Sequence, residues 1–409
     1  MIYRTPKIGL ERTKLHNIRC CRCSTNVIIL RSRAHVIEYF RITIRKVKRL
    51  AGSRPDKQLA SIQMLRAIAA LGVVVYHAQV MLHHNAGYVY QEHNTGAAGV
   101  DIFFIISGFI MYFTNRNAFG KPGASGDFLL RRIIRIVPTY WAYTTLVTLL
   151  LIFLPQLFQD MKFGLPEAIG SYLFLLFVNT NGQVGPNIGV GWTLSFEMYF
   201  YLLFSLFLFF PRRLLLIGLG TIFACGMIAR QLFSEIPLEG QLFTNPLLLE
   251  FFLGCCIGAL TCNKRFPSTL IAIGLCGFGV MAILVAGQMN LLGDRFDPQR
   301  IVVFGIPAAC VVYGAVALEA QKLLNVPSIL SALGDSSYSM YLIQVFTIPV
   351  VGKGWKVLGL ANHVGPWAAL IFAIAVTIGV AHILYLIFER PMTNFLRHAA
   401  ASHLMRHST

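Results

Sequence analysis

Apolar segments long enough to cross a bilayer recur along most of this chain, at residues 62–83, 97–114, 138–155, 192–210, 213–230, 246–262, 268–286, 301–319, 335–352 and 366–388. A span needs about 20 apolar residues. Backbone polar groups in hydrocarbon can be satisfied only inside helices or closed barrels. The alternation of barrel strands is absent, so the runs predict an all-α, polytopic transmembrane helix bundle of about ten spans. A further run at 165–179 is too short to span and reads as an interfacial or re-entrant helix. Composition agrees: only 13% of residues are charged, where soluble domains carry about 25%. No internal repeat is visible, which weighs against the repeat-built transporter folds.

The net charge of +18 is concentrated at one end. Residues 1–55 hold 14 Lys and Arg against two acids, Glu11 and Glu38. Beside a membrane domain such a tail is expected to lie on anionic lipid, at about 1 kcal/mol per basic residue. No nucleic-acid-binding module accompanies the charge, so nucleic acid is not an expected partner. The organisation predicted is a basic tail over 1–55, a membrane domain over 56–398 and a short cytoplasmic tail over 399–409. Six of the nine cysteines sit in or beside apolar runs, where Cys behaves as a small hydrophobe. Cys20, Cys21 and Cys23 lack a second ligand pair, so no metal site is expected. No cleavable signal peptide is read, and the first span would itself serve as the targeting signal. Basic residues in the loops favour a cytoplasmic N-terminus, with thirteen on that side against six opposite, Arg300 among the six. Both termini are then cytoplasmic, in a cell's plasma (inner) membrane.

Ionisable residues inside spans are costly and are functional candidates by default. The informative ones are Arg66, His77, Asp101, Glu197 and Glu250. Arg66 and His77 are eleven residues apart, close to three helical turns, so they share one face about 16 Å apart along the axis. The orientation puts Arg66 near the cytoplasmic surface and His77 toward the outer leaflet, at a depth shared with Asp101 and Glu197. A histidine with a carboxylate partner suits general-base chemistry. His77 reads equally well as a core histidine bonded between helices, and Asp101 and Glu197 as polar glue. In FLLRRIIRIVPTYW (128–141), Arg132 and Arg135 are helix-surface neighbours. With Arg131 and Arg66 they could form a cationic mouth suited to phosphate; positive-inside anchoring is the alternative and explains Arg131 well. Arginines on one side and a base on the other would let a long thin donor with a phosphorylated end, such as acyl-CoA, reach between them.

Seven segments in order resemble the acyltransferase 3 family of integral membrane O-acyltransferases, in particular its exopolysaccharide-modifying branch. They are SIQMLRAIAALGVVVYHA (61–78), GAAGVDIFFIISGFIM (96–111), FLLRRIIRIVPTYW (128–141), GVGWTLSFEMYFYLLF (189–204), LLLEFFLGCCIGAL (247–260), LGDSSYSMYLIQVF (333–346) and FERPMTNFLR (388–397). The resemblance implies transfer of an acyl group, typically from acetyl-CoA as co-substrate, to a glycan hydroxyl. It makes His77 the general base, oriented by Asp101 or Glu197 with Asp101 preferred, and gives Arg66, Arg132 and Arg135 to the donor. Many relatives carry Asp-Gly where this chain has Ile62-Gln63, and a His where Gln344 stands. Trp192, Tyr199 and Tyr201 read as glycan-site aromatics or as interface anchors. Ser107 and Ser195 read as acyl carriers or, for Ser107-Gly108, as a close helix contact. The rival reading is a transporter or flippase of a lipid-linked sugar.

Overall fold

A computed structural model describes residues 59–406, apart from 89–92, 159–160, 179–181, 183, 234–237 and 292–295. The expected basic tail and its three cysteines lie outside the described residues. Residues 59–397 belong to one compact unit. Among the described residues, eight helices are long and apolar enough to cross a membrane. Two more occupy the remaining apolar runs, Leu248–Cys262 of 15 residues and Ser337–Val357 of 21. The bundle is all-helical, as the runs require.

The first helices in chain order are α1 (Ala60–Ala86), α2 (Ala98–Asn115), α3 (Ala124–Phe153), α4 (Leu165–Tyr172), α5 (Trp192–Phe207) and α6 (Arg212–Leu232). They are followed by α7 (Leu238–Thr244), α8 (Leu248–Cys262), α9 (Thr269–Gln288), α10 (Ile306–Ala320), α11 (Ser328–Asp335), α12 (Ser337–Val357) and α13 (Pro366–Leu384). The short run read as interfacial is helical only over the eight residues of α4. Helix α3 begins 14 residues before the apolar run expected at 138–155, and it carries Arg131, Arg132 and Arg135 within it. Charge broke the run in the sequence, but a helix tolerates arginines that turn inward. Its Pro138 costs one backbone donor without ending the helix.

Side-chain contacts fix relative directions. Helices α1 and α12 run the same way, tied by polar rungs along their length. Gln63 Nε2 donates to Asp335 Oδ1 at 2.7 Å, just before α12. Arg66 donates to Ser337 Oγ at 2.9 Å, and His77 Nδ1 lies 3.3 Å from Gln344 Oε1. Beyond them Trp355 Nε1 donates to the Tyr88 hydroxyl at 2.9 Å. Helix α13 returns alongside, pairing Thr347 with Thr377 at 2.8 Å.

Burial separates centre from rim. Two-thirds of the apolar window of Asn94–Asn115 is buried (67%), against 17% for Arg212–Leu232 and 22% for Thr269–Gln288. The last two present faces such as Leu270, Ile271 and Phe278 outward, as lipid-facing helices do. At the centre α2 and α8 run in the same direction and almost touch. A Cβ on Gly108 would lie 2.0 Å from the Phe251 carbonyl oxygen, and one on Gly254 would lie 2.1 Å from that of Ile105. Small residues allow such backbone approach in membranes, where dispersion rather than the hydrophobic effect joins helices. Phe251 fills the space beside the crossing, stacked on Phe104 at 4.5 Å and Phe200 at 4.6 Å.

Gly108→Val should therefore lower the thermal unfolding midpoint of the detergent-solubilised protein, by the roughly 1–3 kcal/mol typical of overpacking. Gly277→Ala, whose Cβ would meet nothing within 4 Å, should leave it unchanged.

Candidate active site

Two cavities occupy the centre of the bundle. The smaller, of about 120 Å³, gathers Arg66 from α1, Arg132 and Arg135 from α3, Ser107 from α2, Glu197 and Tyr201 from α5, and Ser337 from α12. Three guanidinium groups thus face one carboxylate. Two of the three have partners that hold them. Arg66 donates to Ser337 and, at 3.4 Å, to Gln63 Oε1. Arg132 lies 5.5 Å from the ring centres of both Phe128 and Tyr201, in cation–π range. Glu197 accepts from Ser107 Oγ at 2.7 Å and from the Tyr201 hydroxyl. Arg131, on another face of α3, donates instead to Asn115 Oδ1 at 3.1 Å. The sequence reading had counted Arg131 in the cationic mouth; in the structure it lines no part of this cavity, as its alternative reading as an anchor allows.

The larger cavity, of about 530 Å³, is lined by His77 and Tyr76 of α1, Trp192 of α5, Tyr341 and Gln344 of α12, and Arg300. Its size lies within the roughly 300–1,000 Å³ usual for small-molecule sites. His77 is half-buried, and Gln344 is 1% exposed. Gln344 donates its own amide, through Nε2, to the Tyr341 carbonyl at 2.9 Å. The two cavities share Val100 and Tyr341 in their walls. Tyr341 is fixed there by donating to the Val190 carbonyl at 2.9 Å and by a hydroxyl contact with Thr193 at 2.8 Å.

The carboxylates do not sit where depth alone placed them. Asp101 is fully buried, and both its oxygens accept from Arg300, at 2.9 Å from Nε and 2.7 Å from a terminal nitrogen. Arg300 also donates to the Ala97 carbonyl at 2.9 Å. A buried carboxylate demands a partner of opposite charge, and this fork takes the Asp101 carboxylate that the sequence had offered to His77. Glu197 lies in the arginine cavity, whereas Trp192 lines the histidine cavity. Five residues along α5 carry the side chain about 7.5 Å further and well round the helix, enough to exchange one chamber for the other. Tyr201 follows Glu197, and Tyr199 packs on Phe243 at 4.9 Å, away from both. Ser107 lines the arginine cavity, and Ser195 is buried outside either lining.

Two residues of the larger cavity's wall, and one buried acid outside both linings, were not singled out from sequence as site residues. Arg300 reads there as a loop cation, Gln344 as a missing histidine, and Glu389 as part of a terminal motif. The structure buries Arg300 to 4% and Glu389 to 7%, with Glu389 accepting from Ser339 Oγ. A charged residue beside a helix start was the available signal for Arg300. Nothing local to the sequence marks its partner, 199 residues away. Glu250, which the sequence did mark, is fully buried on α8 with its carboxylate close to Gly305.

Comparison with known proteins fits this architecture. A family model described as an acyltransferase domain matches residues 59–386. The exopolysaccharide production protein ExoZ of Rhizobium meliloti (strain 1021) is 33% identical over 315 residues, covering 76% of this chain and 94% of that protein. The O-acetyltransferase OatA of Staphylococcus aureus (strain NCTC 8325 / PS 47) is 26% identical over 84% of this chain and 59% of its own length. The putative peptidoglycan O-acetyltransferase YrhL of Bacillus subtilis (strain 168) is 24% identical over 80% and 54%. The chain spans little more than half the length of these last two. No solved structure matches. With the family model covering nearly the whole helical bundle, the chain belongs to the acyltransferase 3 family of membrane acyltransferases.

Proposed function

We propose that this protein moves an acyl group, acetyl foremost, from cytoplasmic acyl-CoA to a hydroxyl of an exopolysaccharide or other cell-surface glycan, as a multi-pass enzyme of the inner membrane. The observation that carries the reading is the pair of adjoining chambers, one cationic and one built around an imidazole, with Val100 and Tyr341 common to both. The names of the relatives supply the class of acceptor and of acyl group. The similarity to ExoZ favours an exopolysaccharide, and the similarity to OatA and YrhL favours acetyl.

In the cationic chamber Arg66, Arg132 and Arg135 outnumber Glu197. Like charges gathered in a low-dielectric site repel, so the arrangement favours an anionic guest, and guanidinium forks match phosphate oxygens. The phosphates of CoA are held there, and Glu197 orders the wall through Ser107 and Tyr201. The acyl arm extends past Val100 and Tyr341 toward His77. The acceptor sugar occupies the larger chamber, where Trp192 offers a stacking face. His77 takes the hydroxyl proton as that oxygen attacks the thioester carbonyl. The new C–O bond forms, the C–S bond breaks, and CoA departs as a thiolate that is protonated to the thiol. Asp101 acts at one remove, holding Arg300 in the chamber wall.

Purified full-length protein in detergent, given acetyl-CoA and the host strain's alkali-deacylated exopolysaccharide, should form ester and free CoA thiol together, as read by mass spectrometry and a thiol assay. His77→Ala should lower turnover by roughly 10²–10⁴-fold, the usual worth of a general base. Accumulation of a lipid-linked sugar in sealed vesicles with no new ester would establish the transporter instead.

Arg132→Ala and Arg135→Ala should each weaken acetyl-CoA binding by about tenfold or more, since a hydrogen bond to a charged group is worth about 1.5–3 kcal/mol. Titration calorimetry on the solubilised variants checks this. Unchanged donor affinity in both removes the phosphate assignment.

A further inference from the structure

We infer that Gln344 is a positioning residue that selects the tautomer of His77, presenting Oε1 to Nδ1 so that the ring keeps its proton there and carries its lone pair on Nε2. The inference rests on His77 being the base and adds what makes it one.

An amide side chain can offer either its oxygen or its nitrogen, and the choice follows from its other partners. Here the choice is made by the backbone. The Tyr341 carbonyl, 2.9 Å from Gln344 Nε2, can only accept. The nitrogen end of the amide must therefore face it. That leaves Oε1 toward His77 Nδ1, at 3.3 Å, and an amide oxygen can only accept as well. A neutral imidazole meeting an acceptor at Nδ1 places its single proton there. The nitrogen able to receive a proton is then Nε2, on a ring that lines the 530 Å³ chamber. Gln344 is 1% exposed and sits on α12, tied as well to Arg66 of α1 and to Tyr88 just beyond it, so the amide cannot turn freely to offer its other end.

The device differs from a carboxylate partner in one respect. A neutral amide fixes the tautomer without adding negative charge, so it orients the base while lending the imidazolium less stabilisation than an acid would. Asp101, the acid that the sequence had offered to His77, is committed to Arg300. Among the described residues, the other charged or titratable side chains lining this chamber are Tyr76 beside the ring at 5.4 Å, Tyr341 and Arg300.

The test compares Gln344→Leu, Gln344→Glu and His77→Ala with the unaltered full-length protein, by steady-state kinetics with acetyl-CoA and alkali-deacylated exopolysaccharide across pH. Thermal midpoints verify folding. Gln344→Leu should lower kcat by roughly 10- to 100-fold, as loss of an orienting partner does, with KM for both substrates little changed. Gln344→Glu should restore most of kcat and move the acid limb of the kcat/KM profile up by about one pH unit, because a carboxylate stabilises the imidazolium. A residue that merely packs would not shift that limb. If His77→Ala is inactive while both Gln344 variants keep the unaltered kcat and pH profile, the tautomer assignment is overturned and the base survives. An active His77→Ala overturns both.

Discussion

The polar ladder between α1 and α12 is the constraint on which the rest of this structure turns. In hydrocarbon, helices gain nothing from hiding apolar faces from water, and interhelical hydrogen bonds average only about 0.6 kcal/mol. The ladder's few contacts therefore add little to stability. Their effect is register. Gln63 with Asp335, Arg66 with Ser337 and His77 with Gln344 can be satisfied together in one alignment only, and a slip by a turn would strand several polar groups in a medium with no substitute partner. That alignment places Arg66 at the cationic chamber and His77 at the other, the spacing between them being a property of a single helix.

Around that axis the remaining helices divide the work. Helices α2, α5 and α8 close the centre through glycine contact and stacked phenylalanines. Helix α3 delivers two arginines to the small chamber, and Arg300 reaches the large one from just before the π-helical segment Ile301–Gly305 that leads into α10. Rim helices such as α6 and α9 contribute mainly lipid-facing surface. Chemistry is thus confined to the helices with the most buried faces.

Much of this was legible in the chain. Apolar runs gave the helices, because a bilayer fixes the length of each. The eleven-residue interval from Arg66 to His77 separated two sites, because helical rise converts residues directly into depth. The start of α3 was hidden in part: Arg132 and Arg135 read as neighbours on a helix surface, but their charge set the apolar run to begin only at 138. The partners were hidden more deeply. Depth brought Asp101 and Glu197 level with His77, but depth carries no information about azimuth, and both acids face other groups. Arg300 illustrates the same limit from the other side, because a cation at the edge of a run reads as an anchor until the acid opposite it is located.

The shared wall of Val100 and Tyr341 has a consequence for the cell as well as for the reaction. A bilayer insulates with some 30 Å of hydrocarbon. Where two hollows lie side by side within a bundle, the packed thickness is locally reduced, here beside a valine side chain and a tyrosine ring held from two sides. Those two residues are the side chains common to both hollows, so trimming them is expected to widen the connection between the two and thin the insulation there.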